Sequence, residues 1–260
     1  MKILQKICFV LLLSTFSSAY AGSCFTEPYD VDDCRVRAEQ GYAKAQAMLG
    51  ALYNHGQGVL QDNKQEVKWY RLAAEQGLAL AQSNLGVMYN KGLGVPQNYK
   101  EAVKWYTKAA EQGLALAQFN LGFMYAKGQG VLQDYKKAVK WYTKSAEQGD
   151  ATAQYNLGVM YDSGQDVIQD YKEAVKWYIK AAEQGFSKAQ YMLGHTYHME
   201  GRGVIQDNVM AHMYFNIASV SGDKDERTDA IGMRDVVEVW MTPSQIEKAQ
   251  GLALEWMSKH

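Results

Sequence analysis

The fold is decided by residues 77–112, GLALAQSNLGVMYNKGLGVPQNYKEAVKWYTKAAEQ, because the chain contains further copies of this stretch. A tryptophan recurs every 36 residues in four copies; the fifth has one extra residue near Glu200 and carries Tyr214 instead. A fixed period of this length indicates a solenoid, in which each unit packs on its neighbours. The predicted repeats are 41–76, 77–112, 113–148, 149–184 and 185–221.

Each repeat is predicted to form two helices. In residues 78–90 apolar side chains recur at the i, i+4 and i+7 positions of one helix face. Residues 92–96 are too rich in glycine and proline to be helical. A second helix is predicted to start near Asn98, which has Glu101 at the spacing of a capping box. Its predicted buried stripe consists of Ala102, Trp105, Tyr106, Ala109 and Ala110.

A glycine stands in the middle of every predicted first helix, where it costs about 1 kcal/mol relative to alanine. We expect the two helices of a repeat to approach so closely there that a methyl group would not fit. These glycines are Gly50, Gly86, Gly122, Gly158 and Gly194.

The pattern LGxxY at 85–89, followed by AxxxYxxA at 102–109, resembles the tetratricopeptide repeat. The longer Gly-x-Gly-Val-x-Gln-Asp loop and the Trp-Tyr pair make the chain similar to the Sel-one-like branch of that superfamily, of the secreted bacterial type. The resemblance covers about residues 35–260. It implies an all-α fold, a right-handed α/α superhelical solenoid of helix-turn-helix repeats with terminal caps. Members of the family mostly act as adaptors or scaffolds for other proteins.

Residues 1–21 are predicted to be a secretory signal peptide. Two lysines precede an apolar run over 7–16, and Ala-Tyr-Ala at 19–21 is a small-x-small cleavage signal. The run is too short to span a membrane, and no later segment reaches the roughly 18 apolar residues that a transmembrane helix needs. We therefore expect a periplasmic or secreted mature chain without a transmembrane span. A lipid anchor at Cys24, or a buried or disordered N-terminus, is the alternative.

The charge balance excludes one class of partner. Without the two lysines of the predicted signal peptide, 25 basic residues face 28 acidic ones. Such a chain has no electrostatic footprint for nucleic acid. We expect no nucleic acid and no cofactor as a ligand.

The ends of the chain are predicted to be caps. Residues 22–40 resemble half a repeat, with a helix over 31–40, and residues 222–260 are predicted to form two C-terminal capping helices. After removal of the signal peptide, Cys24 and Cys34 remain in an oxidising compartment, where we expect a disulfide. Two free buried thiols are the alternative.

No catalytic site is predicted. His195 and His198, with His212 on the next helix, could present imidazoles to a metal, but polar surface residues are the simpler interpretation and we predict no metal. Ser-x-x-Lys at 221–224 matches penicillin-recognising enzymes, whose companion motifs are absent. A cysteine-rich branch of the family has been linked to β-lactamase activity, but residues 41–260 contain no cysteine. A β-lactamase-like or cell-wall-fragment-binding enzyme is the alternative to a non-enzymatic scaffold.

The predicted binding surface lies on the first helices, at positions that differ among repeats. Positions identical in every copy are explained by folding, and the variable ones are free to serve a ligand. In related helical repeats the first helices line the concave face, and aromatic anchors beside amides suit an extended peptide. Packing of these aromatics between first helices is the alternative. The predicted residues are Phe119, Asn120, Phe123, Tyr155, Asn156, Tyr191, His195 and His198.

Tryptophans and lysines each recur with the period of the repeat and form two ladders of side chains. Each ladder has a structural and a functional interpretation. The tryptophans could stack on sugars, but we favour packing between repeats, because they adjoin the alanine stripe. The lysines could contact an anionic envelope surface, but we favour a solvated face balanced by nearby glutamates. The ladders are Trp69, Trp105, Trp141 and Trp177, and Lys68, Lys104, Lys108, Lys140, Lys144, Lys176 and Lys180.

Overall fold

The structure is a computed structural model that describes residues 23–25, 29–164, 167–200, 202 and 204–260. The predicted signal peptide over 1–21 lies outside the described residues. The described part contains thirteen α-helices, a short 3-10 helix at Ser23–Phe25 and no strand. None of these thirteen helices is both long and apolar enough to cross a membrane.

The helices fall into two compact units, residues 1–133 and 134–260. The first unit contains α1 (Val31–Glu39), α2 (Ala43–His55), α3 (Asn63–Glu75), α4 (Ala79–Lys91), α5 (Tyr99–Glu111) and α6 (Ala115–Lys127). The second contains α7 (Tyr135–Glu147), α8 (Ala151–Ser163), α9 (Tyr171–Ala182), α10 (Ser187–His198), α11 (Asn208–Ser221), α12 (Lys224–Glu238) and α13 (Pro243–Lys259). Within each unit consecutive helices pack together, except that α13 packs against α11. The predicted all-α solenoid of helix-turn-helix repeats is confirmed.

The helix boundaries follow local signals. The first helix of the second repeat, α4, ends at Gly92, which has a left-handed φ of 71°. The second helix, α5, begins after Asn98, whose side chain accepts hydrogen bonds from the N–H groups of Lys100 and Glu101. In a complete capping box the Glu101 side chain would in turn accept a hydrogen bond from the backbone N–H of Asn98. Here the Glu101 carboxylate instead pairs with Lys104 at 3.4 Å. A complete capping box joins Thr242 and Gln245 at the start of α13.

The glycine in the middle of four of the first helices allows close packing. A Cβ atom on Gly86 would lie 2.7 Å from Cδ1 of Tyr106, on the second helix of the same repeat. Equivalent contacts face Gly50, Gly158 and Gly194. The predicted stripe of α5 is buried as expected. Thus these four costly glycines are explained by the aromatic ring that lies against each of them.

The N-terminal cap is covalently closed. Cys24 and Cys34 are fully buried and joined by a disulfide, which ties the 3-10 helix to α1. Both residues belong to one hydrophobic cluster with Trp69 of the first repeat. The disulfide therefore fixes the cap against the core that it covers.

The C-terminal helices leave the repeat pattern. Helix α12 packs against α11 and α10, with Ala230 and Val237 buried. Ile231, Val236 and Trp240, which form part of the apolar pattern of this segment, are exposed. Their exposure arises because Ala230 and Val237 share the face that contacts α11, and because the helix ends at Glu238 before reaching the tryptophan.

Candidate functional site

Three of the predicted binding residues lie in the first unit. Phe119, Asn120 and Phe123 are half-buried on α6. The Lys127 ammonium lies 6.0 Å from the centre of the Phe123 ring, one helical turn away. A cation at this distance contributes on the order of 0.5–1 kcal/mol at an exposed site. These aromatics are therefore neither sealed in the core nor fully open to solvent.

The other five predicted residues lie in the second unit, on α8 and α10. Tyr155 and Asn156 are half-buried on α8. The ring centre of Tyr155 lies 5.2 Å from that of Phe186 and 6.0 Å from that of Tyr178. Burial is the main cause that raises the pKa of Tyr155. Its phenol is thus neutral at physiological pH and carries a proton that can be donated in a hydrogen bond.

Tyr191 lies one repeat further along, on α10. Its ring centre lies 5.5 Å from that of Phe215. Phe215 belongs to a hydrophobic cluster against which both Tyr191 and Met233 of α12 pack. Burial raises the pKa of Tyr191, and the nearby Asp229 carboxylate adds to this effect. The ring therefore packs against α11 and α12, while its hydroxyl lies within the electrostatic influence of Asp229.

Tyr155 and Tyr191 meet at one pocket of about 240 Å³. The pocket lies between α8, α10, α11 and α12, all in the second unit. Its lining residues are Tyr155, Ser187, Lys188, Tyr191, Met192, Ala218, Glu226 and Asp229. Two predicted aromatic positions from consecutive repeats are thus brought together, and we call this cavity the tyrosine pocket.

The acidic residues of the tyrosine pocket were not predicted. Glu226 and Asp229 belong to α12, which carries no copy of the repeat, so no periodic signal marks them. Glu226 accepts a hydrogen bond from Ser187 Oγ at 2.5 Å and pairs with Lys188 at 3.5 Å. These contacts hold α12 against the start of α10.

The histidines do not assemble a metal site. His198 Nδ1 lies 3.2 Å from Asn208 Oδ1, and His195 packs against Tyr191 and Phe215. Burial lowers the pKa of His195, so its imidazole is neutral at pH 7. His212 is fully buried and bonds Glu238 at 2.8 Å. Among the described residues, no group of three potential ligands could hold a metal ion.

The Ser-x-x-Lys segment has a structural role. Ser221 Oγ donates to Gln190 Oε1 and also lies 3.0 Å from the carbonyl oxygen of Ile217. The hydroxyl is therefore engaged at the end of α11, and Lys224 lies beyond it in the first turn of α12.

Three of the four tryptophans of the ladder pack inside the fold. Trp69, Trp105 and Trp177 are each less than one-tenth exposed. The ammonium of Lys108 lies 4.5 Å from the centre of the Trp105 ring, and that of Lys180 lies 4.3 Å from Trp177. Trp141 is half-buried, and the ammonium of Lys144 lies 4.8 Å from the centre of its ring. Part of the lysine ladder thus lies over the tryptophans.

The sequence and the fold identify the family. The model of the Sel1 repeat matches residues 43–78, 79–114, 115–150, 151–186 and 187–223. Each match begins two residues after the corresponding predicted repeat. Because these segments make up more than half of the chain, it belongs to the Sel1 repeat family. This repeat forms a scaffold fold that is typical of protein interaction.

Two solved structures illustrate the similarity. One is c5321, a protective antigen present in uropathogenic Escherichia coli strains and displaying an SLR fold, with 34% identity and a TM-score of 0.77. That match covers 90% of this chain and 49% of the other, so the chain spans about half the length of the E. coli protein. The other is a Sel1 repeat protein from Oxalobacter formigenes, with 36% identity, a TM-score of 0.69, and coverage of 84% and 85%. A search of curated proteins found no match.

Proposed function

We propose that this chain is a non-enzymatic scaffold of the periplasm or secreted space that binds a protein or peptide on the variable positions of its first helices. The observation that carries the proposal is the tyrosine pocket. Tyr155 and Tyr191 occupy the same variable position of consecutive repeats, and both line one cavity. Tyrosine suits such a role, because it offers a large apolar ring and a polar tip.

The location is supported by two features. The first is the basic, apolar and small-residue pattern of residues 1–21. The second is the disulfide between Cys24 and Cys34, since disulfides persist in oxidising compartments. Expression of the full chain, followed by mass analysis of the exported product, tests this directly. We expect a mature chain that begins near Gly22; recovery of the uncleaved chain from the cytoplasm would contradict the proposed location.

Partner binding is tested by crosslinking in intact cells, followed by capture with purified variants. Changing Phe119, Tyr155 and Tyr191 together to alanine should abolish capture of the crosslinked partner, with helix content unchanged by circular dichroism. A matched triple variant changes exposed aliphatic residues of the loops, Leu60, Leu132 and Ile168, which are 91%, 91% and 90% exposed. This control should bind as the wild type does.

The two triple variants separate the candidate surfaces. Loss of capture in the loop variant alone would move the recognition surface from the first helices to the loops. Because Tyr191 also packs against Phe215, the single variant Tyr155→Ala provides a milder test of the same pocket. Unaltered affinity in both the single and the aromatic triple variant would overturn the proposal.

A further inference from the structure

We infer that the tyrosine pocket receives the side chain of a lysine or arginine from the bound partner. The inference rests on the proposed function, because the pocket belongs to the surface proposed for the partner. It goes further by assigning a chemical class to the group that enters. Three properties of the pocket carry it: its apolar walls, its charge and the fixed position of its acidic side.

The apolar walls suit the stem of a long cationic side chain. Tyr155, Tyr191 and Met192 surround the space, and Ala218 is buried at its base. Lysine and arginine bury their methylene stems along apolar surface while their charged ends remain at a polar edge. A pocket of about 240 Å³ with carboxylates on one side therefore provides both environments that such a side chain needs.

The charge of the lining favours a cation. Glu226 is occupied, because it accepts from Ser187 and pairs with Lys188, and it also neutralises the start of α10. Asp229 has no ion-pair partner among the described residues and is exposed one helical turn further along α12. Burial raises the pKa of the Tyr191 phenol, and the nearby Asp229 carboxylate adds to this effect. An anion would meet this unpaired carboxylate, and a neutral side chain would leave it without a partner.

The acidic side of the pocket is held in place before any ligand arrives. A Cβ atom on Gly222 would lie 2.7 Å from Cβ of Glu226 and 3.2 Å from Cβ of Ser187. Glycine at this position therefore lets the start of α12 lie directly against α10. Because the 2.5 Å bond between Ser187 and Glu226 closes the same junction, Asp229 is presented by a fixed helix.

The test uses two small probes with the same four-carbon stem, of which only the first carries a terminal ammonium: N-acetyl-lysine methylamide and N-acetyl-norleucine methylamide. Both are titrated into the full mature chain, and backbone amide shifts are followed by NMR. We expect the lysine probe to shift the amides of Tyr191, Met192 and Asp229, and to bind more tightly than the norleucine probe. Salt at about 1 M, where the Debye length is about 3 Å, should remove most of this difference.

Two matched variants on α12 identify the carboxylate. Asp229→Asn should weaken binding of the lysine probe about three- to fivefold, the upper part of the range for one exposed ion pair. Asp225→Asn makes the same change of charge outside the pocket lining and should leave the affinity unchanged. Equal binding of the two probes, or equal effects of the two variants, would overturn the inference.

Failure of the inference and failure of the proposed function are distinguishable. If the probes bind equally while the aromatic triple variant still loses the partner, the scaffold function stands and the cationic assignment is wrong. If the lysine probe binds at Asp229 while partner capture survives loss of the aromatics, the cation site is correct and the proposed partner surface is wrong.

Discussion

The carboxyl group of Glu66 accepts a hydrogen bond of 2.8 Å from Nδ2 of Asn54 at a position where all later repeats carry a buried alanine. Its other oxygen, Oε2, is buried without a hydrogen-bond partner in the described part of the chain. Desolvation by burial raises the pKa of Glu66 to about 7, and the bond from Asn54 opposes the shift in part. The first repeat thus contains an ionisable group inside its helix pair.

This raised pKa predicts that Glu66 makes stability fall with increasing pH. The unfolded carboxyl ionises near its model value of 4.5 and the folded one at about 7, so the folded state is penalised progressively between these values. The full penalty above this range is about 3.5 kcal/mol, at about 1.4 kcal/mol per pKa unit. Glu66→Gln removes the ionisation and keeps an oxygen for Asn54. Urea unfolding should show that the unfolding free energy of Glu66→Gln exceeds that of the wild type by an amount that grows from pH 4.5 to 7.

The control Glu75→Gln, on the exposed side of α3, should show the same pH dependence of the unfolding free energy as the wild type. A pH dependence of Glu66→Gln that is parallel to that of the wild type would refute the prediction.

Buried glutamines join consecutive repeats. Gln82 Nε2 donates to the carbonyl oxygen of Ala74 at 3.1 Å, and Gln112 Nε2 donates to Gln82 Oε1 at 2.8 Å. Gln82→Leu removes one donor from the Ala74 carbonyl, which keeps the N–H of Gly77 at 3.0 Å, and it also removes the acceptor of the buried Gln112 amide. For two lost hydrogen bonds we expect a loss of about 1–3 kcal/mol in unfolding free energy. Gln97 makes a similar bond to the Asn90 carbonyl at 2.8 Å, but in an exposed loop. Gln97→Leu should cost clearly less, because water replaces the lost donor. Equal costs would show that burial does not decide the effect.

Replacing a helical glycine with alanine is predicted to have opposite effects on stability at two sites, one at a helix contact and one away from it. A Cβ on Gly158 would lie 2.6 Å from Cδ1 of Tyr178, so Gly158→Ala should destabilise by about 1–3 kcal/mol through overpacking. Gly232 is also helical, but a Cβ there would meet nothing within 4 Å. Gly232→Ala should therefore stabilise by about 1 kcal/mol through helix propensity. Thermal unfolding of both variants measures the contrast, and stabilisation at both sites would contradict the close-packing explanation.

The disulfide predicts a redox-dependent N-terminal cap. The exported chain, unfolded without reductant, should contain no titratable thiol. Reduction should then lower the unfolding free energy by about 2–3 kcal/mol, as expected for a short closed loop. The double variant Cys24→Ala and Cys34→Ala should lose the same stability and should not respond to reductant. Two titratable thiols in the unreduced protein would contradict the bond.

Two of the eight residues that line the tyrosine pocket could be predicted from the repeats. Comparison of the copies marks Tyr155 and Tyr191 as variable aromatic positions, and the structure places both at the tyrosine pocket. The same comparison marks His195 and His198, which the structure places outside the pocket lining. Asp229 could not be predicted in this way. Because α12 is not a copy of the repeat, its residues have no equivalent positions in other copies with which they could be compared.

The sequence by itself determined the repeat, the helix pairs and their ends, because these depend on short-range signals. Apolar spacing, a left-handed glycine such as Gly92 and a capping side chain such as Asn98 act within a few residues, and each recurs often enough to be checked against its copies. Only the tertiary structure decided the environment of single side chains. The ionisation of Glu66 depends on how fully its neighbours exclude water, and the pocket depends on where Gly222 allows α12 to pack. Both result from contacts between residues far apart in the chain, for which the sequence contains no periodic signal.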